Sequence, residues 1–306
     1  MDLKKTLTKD IDKKPKKERI QEIDFLRGTA ILLVILYHFC WSFSELLSSF
    51  SNFNEVIINY PNLYNFLKFL WSDVLVSSST IHIFVVPCVG GLFIFVSGIS
   101  TCLSKNNYKR ELLLLAAALL ISLATLAVTK IMKFDIFISF GVIHLMAVSL
   151  LFYIIINFIY KLMFKKETPF YVTLFISVII FFISLVLFSG YNPITNQFTT
   201  QWTVTYLRDD PFKRSFSTYI LEALGKYAGT TDWWPILPYT GVFFLGISIG
   251  KFLYSEKKET KCKFLRCKVF QPFCFIGRKT LIIYLIHQPI FITILVIVFL
   301  CLGFRF

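Results

Sequence analysis

Long apolar runs alternate with short charged segments along almost the whole chain. Runs long enough to cross a bilayer occupy roughly 23–44, 82–104, 112–130, 137–160, 170–189, 236–254 and 279–301. Lipid offers no partner to bare backbone N–H and C=O groups, so runs of this length predict membrane helices. The stretch LYNFLKFLWSDVLV (63–76) is amphipathic and short for a crossing, which predicts that it lies along an interface or re-enters the protein. An eighth crossing there would reverse everything downstream. The expected fold is an all-α polytopic membrane protein of about seven to eight transmembrane helices.

The charged segments give that fold a direction. Starting with the N-terminus inside, the inner segments collect KKPKKER (13–19), KNNYKR (105–110), KLMFKK (161–166) and EKKETKCKFLRCK (256–268). The outer ones hold scattered cations: Lys68, Lys130, Lys133, Arg208, Lys213, Arg214 and Lys226. Lys/Arg bias over short loops sets orientation, so the pattern predicts seven spans, N-terminus cytoplasmic and C-terminus outside. Residues 1–20 are then a basic cytoplasmic tail and 21–306 a single transmembrane domain. Its largest outer loop, about 190–235, shows no clear helical pattern. No internal repeat of 20–50 residues divides the domain, and no small-residue cleavage site follows the first run to mark a signal peptide.

Composition narrows the function classes. With 56% hydrophobic and only 16% charged residues, the chain lacks the polar skin of a soluble protein. Its formal charge of +14 sits in the inner loops and does not spread as a stripe, so the partner it implies is an anionic bilayer surface and not nucleic acid. Cys40, Cys88, Cys102, Cys274 and Cys301 lie in or beside apolar runs, where a thiol is a small hydrophobe. Cys262 and Cys267 have neither zinc nor thioredoxin spacing, so neither a metal site nor a disulfide framework is expected.

The candidate chemistry begins in the first run, EIDFLRGTAILLVILYHFCW (22–41), which carries Asp24, Arg27 and His38. Arg27 and His38 are about three full turns apart and face the same way, with His38 roughly 16 Å higher. Asp24 lies one turn before Arg27, and Glu45 about two turns after His38, on that face. Ionisable groups in hydrocarbon are costly unless paired or wetted, so this stripe predicts a cavity or a bundle interior. For Asp24 and Arg27 the plainer reading is interface anchoring, with Arg27 snorkelling inward. For His38 it is a hydrogen-bonded core histidine. Two more histidines sit in spans: His144, expected two turns below the outer end of the fourth, and His287, two turns up the last and ahead of Pro289, which can kink that helix. His82 is expected at an outer boundary. SG at 97–98 and GISIG at 246–250 read as small-residue helix packing.

Five segments in order carry a resemblance: EIDFLRGTAILLVILYHF, LFIFVSGISTCLSKNNYKR, FGVIHLMAVSLL, DWWPILPYTGVFFLGISIG and FIGRKTLIIYLIHQP. Over about residues 20–295 the chain is similar to the prokaryotic branch of the heparan-α-glucosaminide N-acetyltransferase catalytic-domain family. The spacing of Arg27 and His38 is shared with the integral-membrane acyltransferases that O-acetylate surface polysaccharides. The resemblance implies an acetyl group moved from cytosolic acetyl-CoA to a sugar hydroxyl or amine of an extracytoplasmic glycan or glycolipid. His38 matches the family's catalytic histidine and Arg27 its motif arginine. Where the pattern has an Asp four residues after the histidine, this chain has Ser42, and Glu45 is the acid nearby to replace it.

The residues accord with that chemistry. A thioester is already activated, so the protein must deprotonate the acceptor and stabilise the developing oxyanion. A neutral imidazole suits the first task at physiological pH. The expected catalytic set is His38 as general base with Arg27 and Asp24, and His287 as a second acid/base or orienting group. Arg27, Lys105, Asn106, Lys109 and Arg110 are the expected CoA-binding residues, although Lys105, Lys109 and Arg110 also read as ordinary inner-loop charge. Glu45, His144, Asp232 and Trp233 are the expected acceptor-binding residues. Asp232 beside Trp233 and Trp234 suits a sugar, which stacks on rings while a carboxylate accepts from its hydroxyls; an aromatic belt at the lipid interface reads the same way. Direct transfer and an acetyl-histidine intermediate are both open. The partners expected are the bilayer, an acyl-CoA, a carbohydrate or glycolipid, and optionally a second copy of the chain, in a cell membrane. The rival reading is a proton-coupled transporter or flippase using the intramembrane histidines. The missing internal repeats and scarce intramembrane carboxylates weigh against it. A third reading, a structural or sensory membrane subunit, leaves the first-span stripe unexplained.

Overall fold

A computed structural model describes residues 20–70, 72, 80–132, 136–188, 190–192, 197–199, 205–206, 213–229, 232–254 and 262–305. The basic tail at 1–19 and residues 256–261 of the basic run at 256–268 lie outside them. Seven long helices occupy the seven expected places: α1 (Gln21–Ser48), α4 (Thr80–Leu103), α5 (Asn107–Met132), α6 (Val142–Phe164), α7 (Phe170–Phe188), α9 (Ile236–Tyr254) and α11 (Thr280–Cys301). All except α4 are long and apolar enough to span a membrane, and α4 is described apolar from Pro87 to Leu103. Short helices α2 (Phe53–Val56), α3 (Pro61–Phe69), α8 (Phe216–Leu224) and α10 (Gln271–Arg278) fill the connections.

The protein is therefore an all-α polytopic membrane protein, and its outer surface is that of a lipid-facing bundle. Phe175, Phe182 and Leu187 of α7 and Leu112, Leu119 and Leu123 of α5 are all exposed. Hydrocarbon satisfies such residues as well as a core would, so packing inside the bundle must come from shape and polar contacts. The shape term is clearest between α4 and α9, which run parallel. A Cβ on Gly98 would stand 2.1 Å from the Phe243 carbonyl oxygen, and one on Gly246 would stand 2.2 Å from that of Phe95. The SG and GISIG stretches are thus helix packing, as their small residues predict. Hydroxyls add the polar term: Ser149 and Thr240 pair at 3.0 Å, and Ser177 donates to the Gly241 carbonyl at 2.8 Å. Each such contact contributes on the order of 0.6 kcal/mol.

On the other side of α4, α1 packs against α10 and α11. Gly28 and Gly277 bring the backbones of α1 and α10 together: a Cβ on Gly277 would stand 1.8 Å from the Asp24 carbonyl oxygen. At the basic end, the Tyr254 hydroxyl donates to Glu22 at 3.0 Å and ties α9 to the start of α1. At the opposite end, Phe43, Leu47, Phe50, Leu67, Leu295, Phe299 and Phe304 form a separate apolar cap. Asn52 closes that cap by donating to the Gly303 carbonyl and accepting from the Arg305 N–H.

Two elements differ from the expectation, and two others add to it. In the 63–76 stretch an α-helix runs to Phe69, with Leu67 buried in the apolar cap, and Leu70 and Ser72 are π-helical. Its residues 71 and 73–76 lie outside the described set. The fourth span starts at Val142 rather than 137, because Ile136 and Ile138 give their N–H groups to the side chains of Thr129 and Thr125 and Gly141 takes the N-cap. The 190–235 loop holds helix α8, capped by Ser215, so a local amphipathic pattern was missed there. It also holds two small strand pairings: β1 (Gly190–Asn192) with β2 (Gln197–Thr199), and β3 (Thr205–Tyr206) with β4 (Tyr227–Ala228). Finally, α10 turns the chain into α11, in a stretch to which the sequence assigned no element.

Candidate active site

His38 of α1 and His287 of α11 meet inside the bundle. Their Nδ1 and Nε2 atoms are 2.8 Å apart. The ring planes differ by 12° with centroids 5.0 Å apart, so the rings lie edge to edge in one plane and the hydrogen bond is in-plane. The tautomers follow from the partners. The Nδ1 atom of His287 lies 2.6 Å from the Tyr284 carbonyl oxygen, which can only accept, so His287 donates there. Nε2 of His287 then accepts from Nδ1–H of His38. In a neutral pair this leaves the lone pair of His38 on Nε2. His287 is buried while His38 is half-buried. One turn further from the basic end, Ser42 donates to Gln288 at 2.8 Å, repeating the α1–α11 bridge with neutral groups.

Tyr284 lies one turn before His287 on the same face of α11. Its ring stands 6.3 Å from that of His38 and nearly parallel to Phe93 of α4. Its hydroxyl donates to Asp232 at 2.7 Å, and the same carboxylate oxygen accepts the Val142 N–H at 3.3 Å. Asp232 thereby sits at the N-terminus of α6, where the helix dipole favours an anion. It also lies in electrostatic range of His38, His144 and His287.

The loop that delivers Asp232 is tied down on both sides. The Trp233 indole N–H donates to the Glu222 carbonyl at 3.0 Å. Trp234 packs against Gly90, where a Cβ would stand 1.8 Å from the indole ring, and against Tyr239. Within the loop, the buried Glu222 accepts from the Gly229 N–H and Arg214 donates to the Gly229 carbonyl. Trp233 and Trp234 are anchors, and Asp232 turns into the bundle instead of presenting an open carboxylate beside aromatic faces.

The other predicted residues fall in different places. His144, expected two turns down its span, is in the first turn of α6. Its Nδ1 accepts the Gly141 N–H at 3.2 Å and caps α6, and its Nε2 is 2.9 Å from Ser122 Oγ and ties α6 to α5. Glu45 is half-buried two turns beyond His38, beside the apolar cap. Asp24 is buried and pairs with Arg27 at 3.7 Å. The side chain of His82 lies outside the described residues.

Along α4 the basic end forms tiers below the histidines. Arg110 of α5 reaches in and donates to Ser97 Oγ at 2.7 Å, to the Ser97 carbonyl at 2.9 Å and to Thr101 at 3.0 Å. It is close enough to Arg27 for the two charges to repel. Beyond Thr101 opens a cavity of ≈ 740 Å³, lined among others by Lys105, Asn106, Asn157, Lys161, Thr168 and Lys251. Asn106 also caps α5 by accepting the Lys109 N–H at 3.0 Å, and Lys109 itself is exposed. Lys251 donates to the Thr168 carbonyl and lies over the Tyr153 ring.

Sequence reasoning missed Tyr284, Gln288, Lys161 and Lys251 as neighbours of the chemistry. Tyr284 and Gln288 had a signal, since they lie one turn before and one residue after His287 in IYLIHQ. The two lysines had none beyond inner-loop charge.

Comparison with known proteins places the chain. No curated protein and no solved structure matches it significantly. The family model for the heparan-alpha-glucosaminide N-acetyltransferase catalytic domain matches residues 19–70 and 56–289, which include α1, α4–α7, α9, α10 and the part of α11 bearing both Tyr284 and His287. The chain belongs to the heparan-α-glucosaminide N-acetyltransferase catalytic family and is a multi-pass membrane acetyltransferase.

Proposed function

We propose that the protein takes acetyl-CoA at its basic, cytoplasmic end and acetylates a sugar hydroxyl or amine of a glycan or glycolipid presented at the opposite face. The observation that carries this reading is the His38–His287 pair, which leaves Nε2 of His38 as an oriented, unprotonated base within the membrane. The CoA phosphates would be held at the cavity by Lys105, Lys161 and Lys251, with Asn106 on its rim. Arg110 and Arg27 lie between that cavity and the histidines, and their mutual repulsion favours an anion or an oxyanion nearby. From Thr101 at the cavity to Phe93 beside Tyr284 the rise along α4 is about 12 Å, within reach of an extended pantetheine arm.

The transfer step balances without further reagents. The acceptor oxygen or nitrogen attacks the thioester carbonyl carbon as Nε2 of His38 removes its proton. The carbon–sulfur bond then breaks, and the proton returns from His38 to the departing CoA sulfur. The products are the acetylated sugar and free CoA. His287 holds the His38 ring by accepting from its Nδ1–H, which leaves Nε2 oriented as the base.

Two measurements test this. Titration calorimetry with acetyl-CoA, CoA and a phosphate-free analogue should give heat with the first two and much weaker binding for the third. Single-turnover transfer from radiolabelled acetyl-CoA should fall about 10²–10⁴-fold in His38→Ala with donor affinity and thermal stability retained. Near-normal turnover in that variant sinks the base assignment, and the absence of heat with any ligand sinks the donor assignment.

A further inference from the structure

We infer that Asp232, held by the Tyr284 hydroxyl, is the counter-charge of the histidine pair: a positioning residue of the transfer reaction and not an acceptor contact. The inference rests on His38 being the base.

Geometry singles out this carboxylate. Proton removal by His38 creates an imidazolium in a water-poor bundle interior, and such a charge is costly unless an anion is already in place. The acids on the helix that carries His38 are badly placed to serve. Asp24 is more than three turns away and paired with Arg27, Glu22 accepts from Tyr254 at the basic end, and Glu45 lies two turns beyond His38 beside the apolar cap. At the position one turn after His38 stands Ser42, a neutral donor already given to Gln288. Asp232 arrives instead from a different part of the chain, the segment between α8 and α9.

One residue joins it to the pair through two separate atoms. The Tyr284 phenol donates to Asp232, while the Tyr284 carbonyl accepts the Nδ1 proton of His287. The groups that face Asp232 are therefore Tyr284 and His287 from α11, His38 from α1, and the Val142 N–H with His144 from α6. The Val142 N–H and the Tyr284 hydroxyl both donate to one oxygen of this carboxylate at the N-terminus of α6, where the helix dipole favours a negative charge. The two anchored indoles that follow it in the chain fix its position. A Cβ on Gly141 would stand 2.6 Å from Asp232 Oδ2, so the seat fits around this carboxylate.

This assignment separates from its alternatives by which kinetic constant moves. A counter-charge acts as positive charge develops, so Asp232→Asn should lower the single-turnover rate about 10–10²-fold while the KM values for acetyl-CoA and for methyl α-glucosaminide, used as acceptor probe, stay within about twofold. Tyr284→Phe keeps the backbone carbonyl and the Val142 contact and should lose less, with the same pattern. A rise in the glucosaminide KM at unchanged rate would make Asp232 an acceptor ligand. Unchanged rate and KM in both variants would remove the role altogether. If Asp232→Asn melts early through loss of the α6 cap, Tyr284→Phe decides: a lowered rate at normal stability supports the assignment, a normal rate overturns it. His38→Ala is measured alongside. If it turns over normally, the base assignment falls and this one with it; if it is inactive while both other variants are normal, only the counter-charge is wrong.

Discussion

Two parallel helix seams flank α4, and they are built on opposite terms. The α4–α9 seam is closed by glycines, with the Phe95 and Phe243 carbonyls filling the space a side chain would take. The α1–α11 seam is bridged by side chains: His38 to His287 and Ser42 to Gln288. In lipid neither seam gains from hiding apolar surface, so one relies on close backbone approach and the other on polar contact. The difference divides their tasks. The glycine seam brings two backbones into contact and holds the bundle; the polar seam contains the groups able to carry protons.

The largest effect is expected in the glycine seam. Gly246→Val puts two methyl groups where a Cβ alone already stands 2.2 Å from the Phe95 oxygen. It should cost more than about 3 kcal/mol and lose the monodisperse folded protein in detergent. Normal thermal unfolding of this variant would show that the seam opens freely and that the contrast is false. In the polar seam His287→Leu should leave the fold largely intact and lower single-turnover transfer by about 10²-fold, because His38 Nδ1–H loses its acceptor and the ring its orientation. Equal loss of stability and rate would make His287 a packing residue. Smallest is Ser42→Ala, which removes a neutral bridge at the outer end of the same seam. It should cost no more than about 1 kcal/mol by thermal unfolding and leave transfer within a few-fold of normal. A loss as large as that of His287→Leu would extend the reactive centre to Gln288.

The residues misplaced by sequence reasoning share a cause. His144 and Asp232 each sit at the edge of a span, where a shift of a few residues decides whether a side chain is in the bundle or at its mouth. The fourth span was drawn five residues too early because 137–141 is largely apolar, yet Ile138 gives its N–H to Thr125 and its carbonyl to the Ser122 hydroxyl instead of joining the helix. That moved His144 from mid-span to a helix cap. Asp232 was read with its aromatic neighbours as an outward-facing sugar platform. Both tryptophans are instead committed to anchoring, one by its N–H and the other by its ring face.

What the sequence determined by itself is what depends on local periodicity and on the cost of charge in hydrocarbon. The places of the seven long helices follow from apolar run length. The small-residue seam follows from Gly98, Gly246 and Gly250. The stripe bearing Arg27 and His38 follows from helical spacing, and the family from five segments in order. What only the tertiary structure decided is which distant groups share a site. His38 and His287 are 249 positions apart, and Asp232 and Tyr284 are 52. Turn counting places each on its own helix, but helix tilt and rotation are set by packing against neighbours. The tautomer of His287 was decided by a carbonyl one turn away, and the partner of Asp232 by a phenol on another helix. Hydrogen-bond direction depends on atoms brought within 3 Å, and no one-dimensional pattern carries that distance.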